Sequence, residues 1–295
     1  MHPTCIRTTV KNCSKRKKRS TSIREWVLLL CLAYISTSLF FPGNLSISSA
    51  RSVSSLRGLK LVIIDSASFC LFQVSFCSSE CFKRADHRFH WADCGLLQHL
   101  QGDQELGSMA LLAFRILIRA GYEKIAEAIS RDEKEVEKGA RYDSAEYACV
   151  FAQETNIRGR EHGEMFRRCV TALYLTHFLR QTGEFFPKVT SSEEEEDRIS
   201  SEALVRHLLS CSCNAYEVSE MRGGCVSVEL GGSVYPTVSL TNHACWPNTM
   251  RYSSRDGCVL RASRTINKGE EITDNYGEFY QMTPKEERAK RSGWF

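Results

Sequence analysis

Side chains able to bind metal or a group-transfer cofactor gather in two stretches of the 295-residue chain. The first holds Cys77-x3-Cys81 and His90-x3-Cys94, with Cys70 a little upstream. A step of four residues sets the members of a pair about one helical turn apart, so each pair can face one ion, and thiol with imidazole is a zinc ligand set. The plainer alternative is that Cys77 and Cys81 are small buried residues and His90 a surface histidine. The second stretch holds Asn242-His243-Ala244-Cys245-Trp246-Pro247-Asn248 and then Gly269-Glu270-Glu271-Ile272-Thr273-Asp274-Asn275-Tyr276-Gly277. Taken singly, Asn-His could be a turn and Tyr-Gly a strand end.

The elements that must position these groups differ along the chain. Leu106, Met109, Ala110, Ala113, Phe114, Leu117 and Ile118 recur at helical spacing and predict one core-facing helix over Leu106 to Ser130. Residues 131–143 form a charged connector with Gly139 as its stop. A second helix is expected over Met165 to Gln181 with its stripe at Phe166, Val170, Leu173, Tyr174, His177 and Phe178, and a third over Ile199 to Leu209. His177 on that stripe is a core or rim residue rather than a ligand. The acidic run Glu193 to Asp197 between these helices is expected to be a solvated loop. The period then changes to two: Val226, Val228 and Leu230 mark a strand, Gly231-Gly232 a turn, Val234 to Val238 another strand, and Cys258 to Ala262 and Ile272 further strand segments.

Composition bounds the function. An apolar share of 42% supports a buried core, and no internal repeat suggests a solenoid. A net charge of +4, with a basic run before Arg24, leaves the body nearly neutral and gives no nucleic-acid footprint. Fourteen cysteines could make a disulfide framework in a secreted chain, but their metal-ligand spacing favours reduced thiols in the cytosol or nucleus. Residues 1–60 differ in character from the rest: basic from Lys11 to Arg24, apolar over Trp26 to Phe41, serine-rich over Ser46 to Ser55. They could be a signal peptide or anchor with a small-residue site near Ser48 and Ala50, although the 16 apolar residues fall short of a membrane span. A membrane anchor over residues 26–41 is therefore the minor alternative. Lys15 to Arg19 could equally be a nuclear address or a solvated tail, and an artefactual gene start is a further reading of the segment.

The first stretch, with its Phe76-Cys77-Ser78 start and Cys94-Gly95-Leu96-Leu97 finish, resembles the second half of a MYND finger, a cross-braced two-zinc module that binds partner proteins. The resemblance implies one ion on Cys77 and Cys81 and another on His90 and Cys94, each completed by an earlier cysteine pair. Only Cys70 stands close upstream, one residue out of the family spacing, and Ala67 occupies its partner's position. Structural zinc takes four protein ligands, so the set is partial.

The second stretch resembles the C-terminal half of a SET domain, the fold that transfers methyl groups from S-adenosylmethionine to protein lysines. That chemistry is an in-line displacement in which the lysine amine, with a reference pKa of about 10.4, must be neutral. A site helps by desolvating the amine, aligning the reacting atoms and excluding water. The resemblance implies that Asn242 and His243 hydrogen-bond the cofactor, through an amide side chain and the backbone, where two segments cross in a knot-like arrangement that Pro247 and Asn248 complete. Tyr276 is placed by the transferring methyl and the lysine nitrogen, and Gly277 lets the backbone pass closely. Asn214 matches another cofactor-contacting asparagine, and Tyr235 lines the lysine channel or packs below it. Glu270 and Glu271 are structural, and Ala244 replaces the usual serine. Cys245 matches a zinc ligand whose Cys-x-Cys-x2-Cys partners belong just past the point where the sequence reaches Trp294-Phe295. No Gly-x-Gly cofactor loop precedes Cys77; Gly223-Gly224 and Gly231-Gly232 are expected to be turns.

Together these features describe an α+β protein of the SET and MYND family: a divergent segment over 1–60, a partial finger over 67–97, a helical insert over 98–210 and the C-terminal half of a SET domain over 211–295. The resemblance implies a zinc-binding, S-adenosylmethionine-dependent protein-lysine methyltransferase, with a protein partner on the finger. The alternative is a catalytically inactive zinc-binding interaction module, and the missing loop and cysteines imply a weak or inactive chain.

Overall fold

A computed structural model describes residues 79–97, 99, 100, 104–131, 142–188, 192–222, 226–254, 257–277 and 284–287. Among the described residues, helices lead up to Asn214 and strands dominate after it, so the α+β expectation holds. α1 (Ser79–Ala85), a π-turn (Asp86–His90) and α2 (Trp91–Leu97) form one continuous helical run. α3 (Gln104–Ala120) follows, burying Ala110, Ala113, Phe114 and Leu117. The single helix expected over 106–130 is in fact two. Gly121, with φ +79° and ψ 153°, ends α3 and starts α4 (Tyr122–Ser130), a turn that side chains with a Cβ rarely adopt.

α5 (Tyr147–Phe151) precedes α6 (His162–Gln181) and α7 (Glu193–Asn214). The stripe of α6 is not the expected one. Met165, Cys169, Ala172, Leu175 and Leu179 face the core, whereas Phe166, Val170 and Tyr174 are exposed at 52%, 46% and 41%. The acidic run is not a loop either; it opens α7. The Ser192 hydroxyl accepts the Glu195 N–H at 3.3 Å as an N-cap, and Glu193 to Glu196 in the first turn oppose the positive end of the helix dipole. α7 is the central helix, packed on α3, α4 and α6 through Ile199, Ala203, Leu204, Val205, Leu208 and Leu209. It outruns the expected end at Leu209 and passes from Asn214 directly into the first strand.

β1 (Ala215–Arg222) pairs antiparallel with β2 (Val226–Val234) from Ala215 opposite Val234 to Arg222 opposite Val226, with a bulge at Val218/Ser219. Gly231 and Gly232 therefore lie inside β2 opposite Val218 and Glu217, not in a turn. Instead of a strand over 234–238, β2 ends at Val234 and a 3₁₀ turn covers Val238–Leu240. β4 (Thr249–Ser254) and β5 (Gly257–Ala262) make a second antiparallel pair. Between these pairs, β3 (Asn242–His243) runs parallel to β6 (Thr273–Asp274). Among the described residues no helix is long and apolar enough to cross a membrane; Trp26 to Phe41 and the connector over 132–141 lie outside them.

Candidate active site

The two motif segments meet through the parallel pairing of Asn242 with Thr273 and His243 with Asp274. The Ala244 N–H extends the ladder to the Asp274 carbonyl at 2.8 Å. Asn248, only 2% exposed, locks the crossing from below. Its Oδ1 accepts the Thr273 N–H at 2.9 Å, and its Nδ2 donates to the Glu271 carbonyl at 2.7 Å. Thr249 adds a hydroxyl bond to the Thr273 carbonyl at 2.7 Å. Glu270 closes the preceding turn by accepting the Asn267 N–H at 3.1 Å and pairing with Arg264 at 2.5 Å. These bonds, with one from Asn248, hold its carboxyl down to about 2. Glu271 accepts from Asn242 Nδ2. Both acids thus serve the scaffold, as the sequence suggested.

Tyr276 emerges from the crossing. Its N–H donates to His243 Nδ1 at 3.0 Å, its ring centroid lies 5.3 Å from the imidazole, and its hydroxyl donates to the Thr241 carbonyl at 2.6 Å. Burial and the Asp274 charge raise its pKa, so the phenol stays protonated at ordinary pH. The next residues turn sharply: Asn275 Oδ1 accepts the Gly277 N–H at 2.7 Å, and Gly277 has φ +132°. A Cβ on Gly277 would meet nothing within 4 Å among the described residues, so the turn's backbone angle, not a close passage, calls for glycine.

A cavity of about 790 Å³ opens beside Tyr276, within the range of small-molecule sites. The end of α7 supplies Asn214, whose Nδ2 is held by the Ser210 and Glu154 carbonyls at 2.7 and 2.8 Å. β1 supplies Tyr216, and the 3₁₀ turn supplies Ser239, whose hydroxyl donates to the Asn214 carbonyl at 3.3 Å. β4 supplies Arg251, ion-paired with buried Asp274 and stacked 4.4 Å over the Tyr216 ring. Burial and the neighbouring Tyr276 and Asp274 push the Tyr216 phenol up to about 12. Tyr235 is not on the lining; its ring packs 5.9 Å from that of Tyr216.

Asn214 and Tyr276 thus share the cavity wall, while Asn242 and His243 lie behind Tyr276 at the crossing rather than on the lining. Ser239, Arg251 and Asp274 are additions that sequence reasoning did not single out. No local pattern marks Arg251 and Asp274, because they stand 23 positions apart and meet only when the chain folds back.

The expected metal ligands are less complete. Cys70 and Cys77 lie outside the described residues, and Cys81 falls on α1. His90 ends the π-turn and Cys94 lies one helical turn on in α2, His90 buried and Cys94 half-buried. His90 Nδ1 lies 3.0 Å from Asp93 Oδ1, and Arg115 Nε donates to the other oxygen at 2.6 Å. Cys245 Sγ lies 3.2 Å from His243 Nε2. Among the described residues no group of three or more His, Cys, Asp or Glu is placed to hold an ion, so these residues alone do not fit zinc.

Residues 76–277, more than half of the chain, match the SET domain family model. The chain is 25% identical over 258 residues to "Protein-lysine N-methyltransferase SMYD4" of Gallus gallus, covering 69% of this chain and 34% of that protein. It is 24% identical over 275 residues to the Homo sapiens protein of the same name, covering 73% and 34%. Against "Histone-lysine N-methyltransferase SMYD3" of Mus musculus it is 26% identical over 220 residues, covering 73% and 43%. The chain spans about a third of the length of the SMYD4 relatives.

Proposed function

The chain belongs to the SET-domain family, and on that premise we propose that it transfers methyl groups from S-adenosylmethionine to lysine side chains of a protein substrate. One observation carries this: the β3–β6 crossing sets Tyr276 against a cavity that also holds Asn214. The cavity fits the cofactor in size and, with the Asn214 and Ser239 protons committed to backbone carbonyls, would offer it the amide oxygen of Asn214, the hydroxyl oxygen of Ser239 and an aromatic wall. The bound cofactor would supply an electrophilic methyl on a sulfonium. Asn214 and Ser239 would bind its polar groups, Asn242 and His243 would brace the crossing behind Tyr276, and the Tyr276 hydroxyl would orient the lysine amine. With its proton committed to the Thr241 carbonyl, that hydroxyl turns its oxygen lone pairs to the incoming groups. Burial around Tyr276 and Tyr216 favours the neutral amine.

The proposal includes a zinc-binding finger over 67–97 that binds a protein partner, with Cys77 and Cys81 on one ion, His90 and Cys94 on another and Cys70 as an upstream ligand, while Cys245 belongs to a separate zinc site. The carboxylate of Asp93 on one nitrogen of His90 supports it, since ligating histidines commonly carry such a partner. A nuclear or cytoplasmic site of action follows from the same reading.

The test is tritium transfer from methyl-labelled S-adenosylmethionine to core histones by the full chain. Label on lysine, lost in Tyr276→Phe, is expected. No labelling by the wild-type chain, or equal labelling by Tyr276→Phe, overturns the reading.

A further inference from the structure

Resting on that reading, we infer that the His243 imidazole is a positioning residue for Tyr276, acting through Nδ1 in the Nε2–H tautomer. A backbone N–H can only donate, so the 3.0 Å contact from Tyr276 requires a lone pair on Nδ1. In the neutral ring the proton then sits on Nε2, and Cys245 Sγ, 3.2 Å away, accepts it. The other end of Tyr276 is held by the residue just before the same short strand: its hydroxyl donates to the Thr241 carbonyl at 2.6 Å. Thr241 and His243 flank Asn242, so the three residues that present the expected cofactor amide also grip Tyr276 at its backbone and at its hydroxyl. The register of β3 on β6 makes this possible, because His243 opposite Asp274 stands within reach of the residue two further on. The imidazole is needed as an acceptor, not as an acid or a base.

Two substitutions separate acceptor from ring. His243→Phe keeps an aromatic ring beside Tyr276 and deletes the acceptor; His243→Asn sets an amide oxygen near the Nδ1 position. In the full chain labelled with ¹⁵N-histidine and ¹⁵N-tyrosine, His243 is expected in the Nε2–H tautomer. The Tyr276 amide proton, assigned by its loss in Tyr276→Phe, should keep its hydrogen-bonded shift in His243→Asn and lose it in His243→Phe. Turnover should fall about 100-fold in His243→Phe with little change in the cofactor KM, and recover at least about tenfold of that in His243→Asn, as expected for misplacement of a reacting group. An Nδ1–H tautomer, an unmoved Tyr276 amide in His243→Phe, or a His243→Asn variant no faster than His243→Phe overturns the inference. If His243→Phe does not fold, the wild-type tautomer alone decides. Absence of turnover by the wild-type chain defeats the methyltransferase reading instead, and the tautomer and amide shift still decide whether His243 holds Tyr276.

Discussion

Asn248 and Thr273, 25 positions apart, are joined three times: the Asn248 side-chain oxygen accepts the Thr273 N–H at 2.9 Å and the Thr273 hydroxyl at 3.3 Å, and the Asn248 N–H donates to the Thr273 hydroxyl at 3.2 Å. The amide nitrogen of the same side chain reaches the Glu271 carbonyl. One asparagine thus satisfies the backbone on both sides of Ile272, in the segment that leads to Tyr276. Asn248→Ala leaves a buried N–H and a carbonyl without their partner and should cost about 3 kcal/mol. A lower urea midpoint at unchanged slope is the expected result.

Arg251 and Asp274 make a similar point with charge. The Asp274 side chain is 4% exposed, and Arg251 is its ion-pair partner across the cavity wall. Arg251→Met keeps the stem over Tyr216 but strands the carboxylate, at a cost of about 3 kcal/mol. Adding Asp274→Asn should restore part of that loss, because the uncompensated charge is the larger part of the penalty. Equilibrium unfolding of the single and double variants measures both values.

His207 gives the fold a pH dependence away from the cavity. It is fully buried on α7, 2.7 Å from the Tyr147 hydroxyl. Burial first, and the Arg206 charge second, hold its pKa at about 3 against an ordinary 6.5. The folded imidazole stays neutral where the unfolded one takes a proton, so its contribution is fully present above pH 6.5 and is lost as pH falls toward 3. The slope in that window is up to about 1.4 kcal/mol per pH unit. His207→Phe should flatten the acid limb of a stability-versus-pH curve, whatever its effect at neutral pH.

The sequence was legible where pattern is local. The strand at Val226, the apolar face of α3, and the Asn-His and Tyr-Gly segments that pair in space were all readable from residue types and spacing. What failed depended on context. α6 carries apolar residues on more than one face, so spacing alone could not choose between the Phe166 and Met165 stripes; packing on α7 chose Met165. The glutamates read as solvated became a helix start because Ser192 stands three positions before Glu195. Cavity residues Arg251 and Asp274 had no signal, since their pairing is set by topology.

The α6 result is itself testable. Met165, 3% exposed, should cost about 2–5 kcal/mol on replacement by Ala. Phe166, half exposed, should change stability by no more than about 0.5 kcal/mol on replacement by Ser. Thermal unfolding of the two variants, run side by side, distinguishes the observed stripe from the one that spacing suggested.

The cofactor cavity is tested most directly by calorimetric titration of the full chain with S-adenosylhomocysteine, whose binding does not depend on turnover. One molecule should bind per chain. Asn214→Ala should weaken that binding by about tenfold or more, the worth of one or two polar contacts, while Tyr276→Phe should leave it nearly unchanged. No binding by the wild-type chain, or binding indifferent to Asn214→Ala, would contradict the assignment of the cavity.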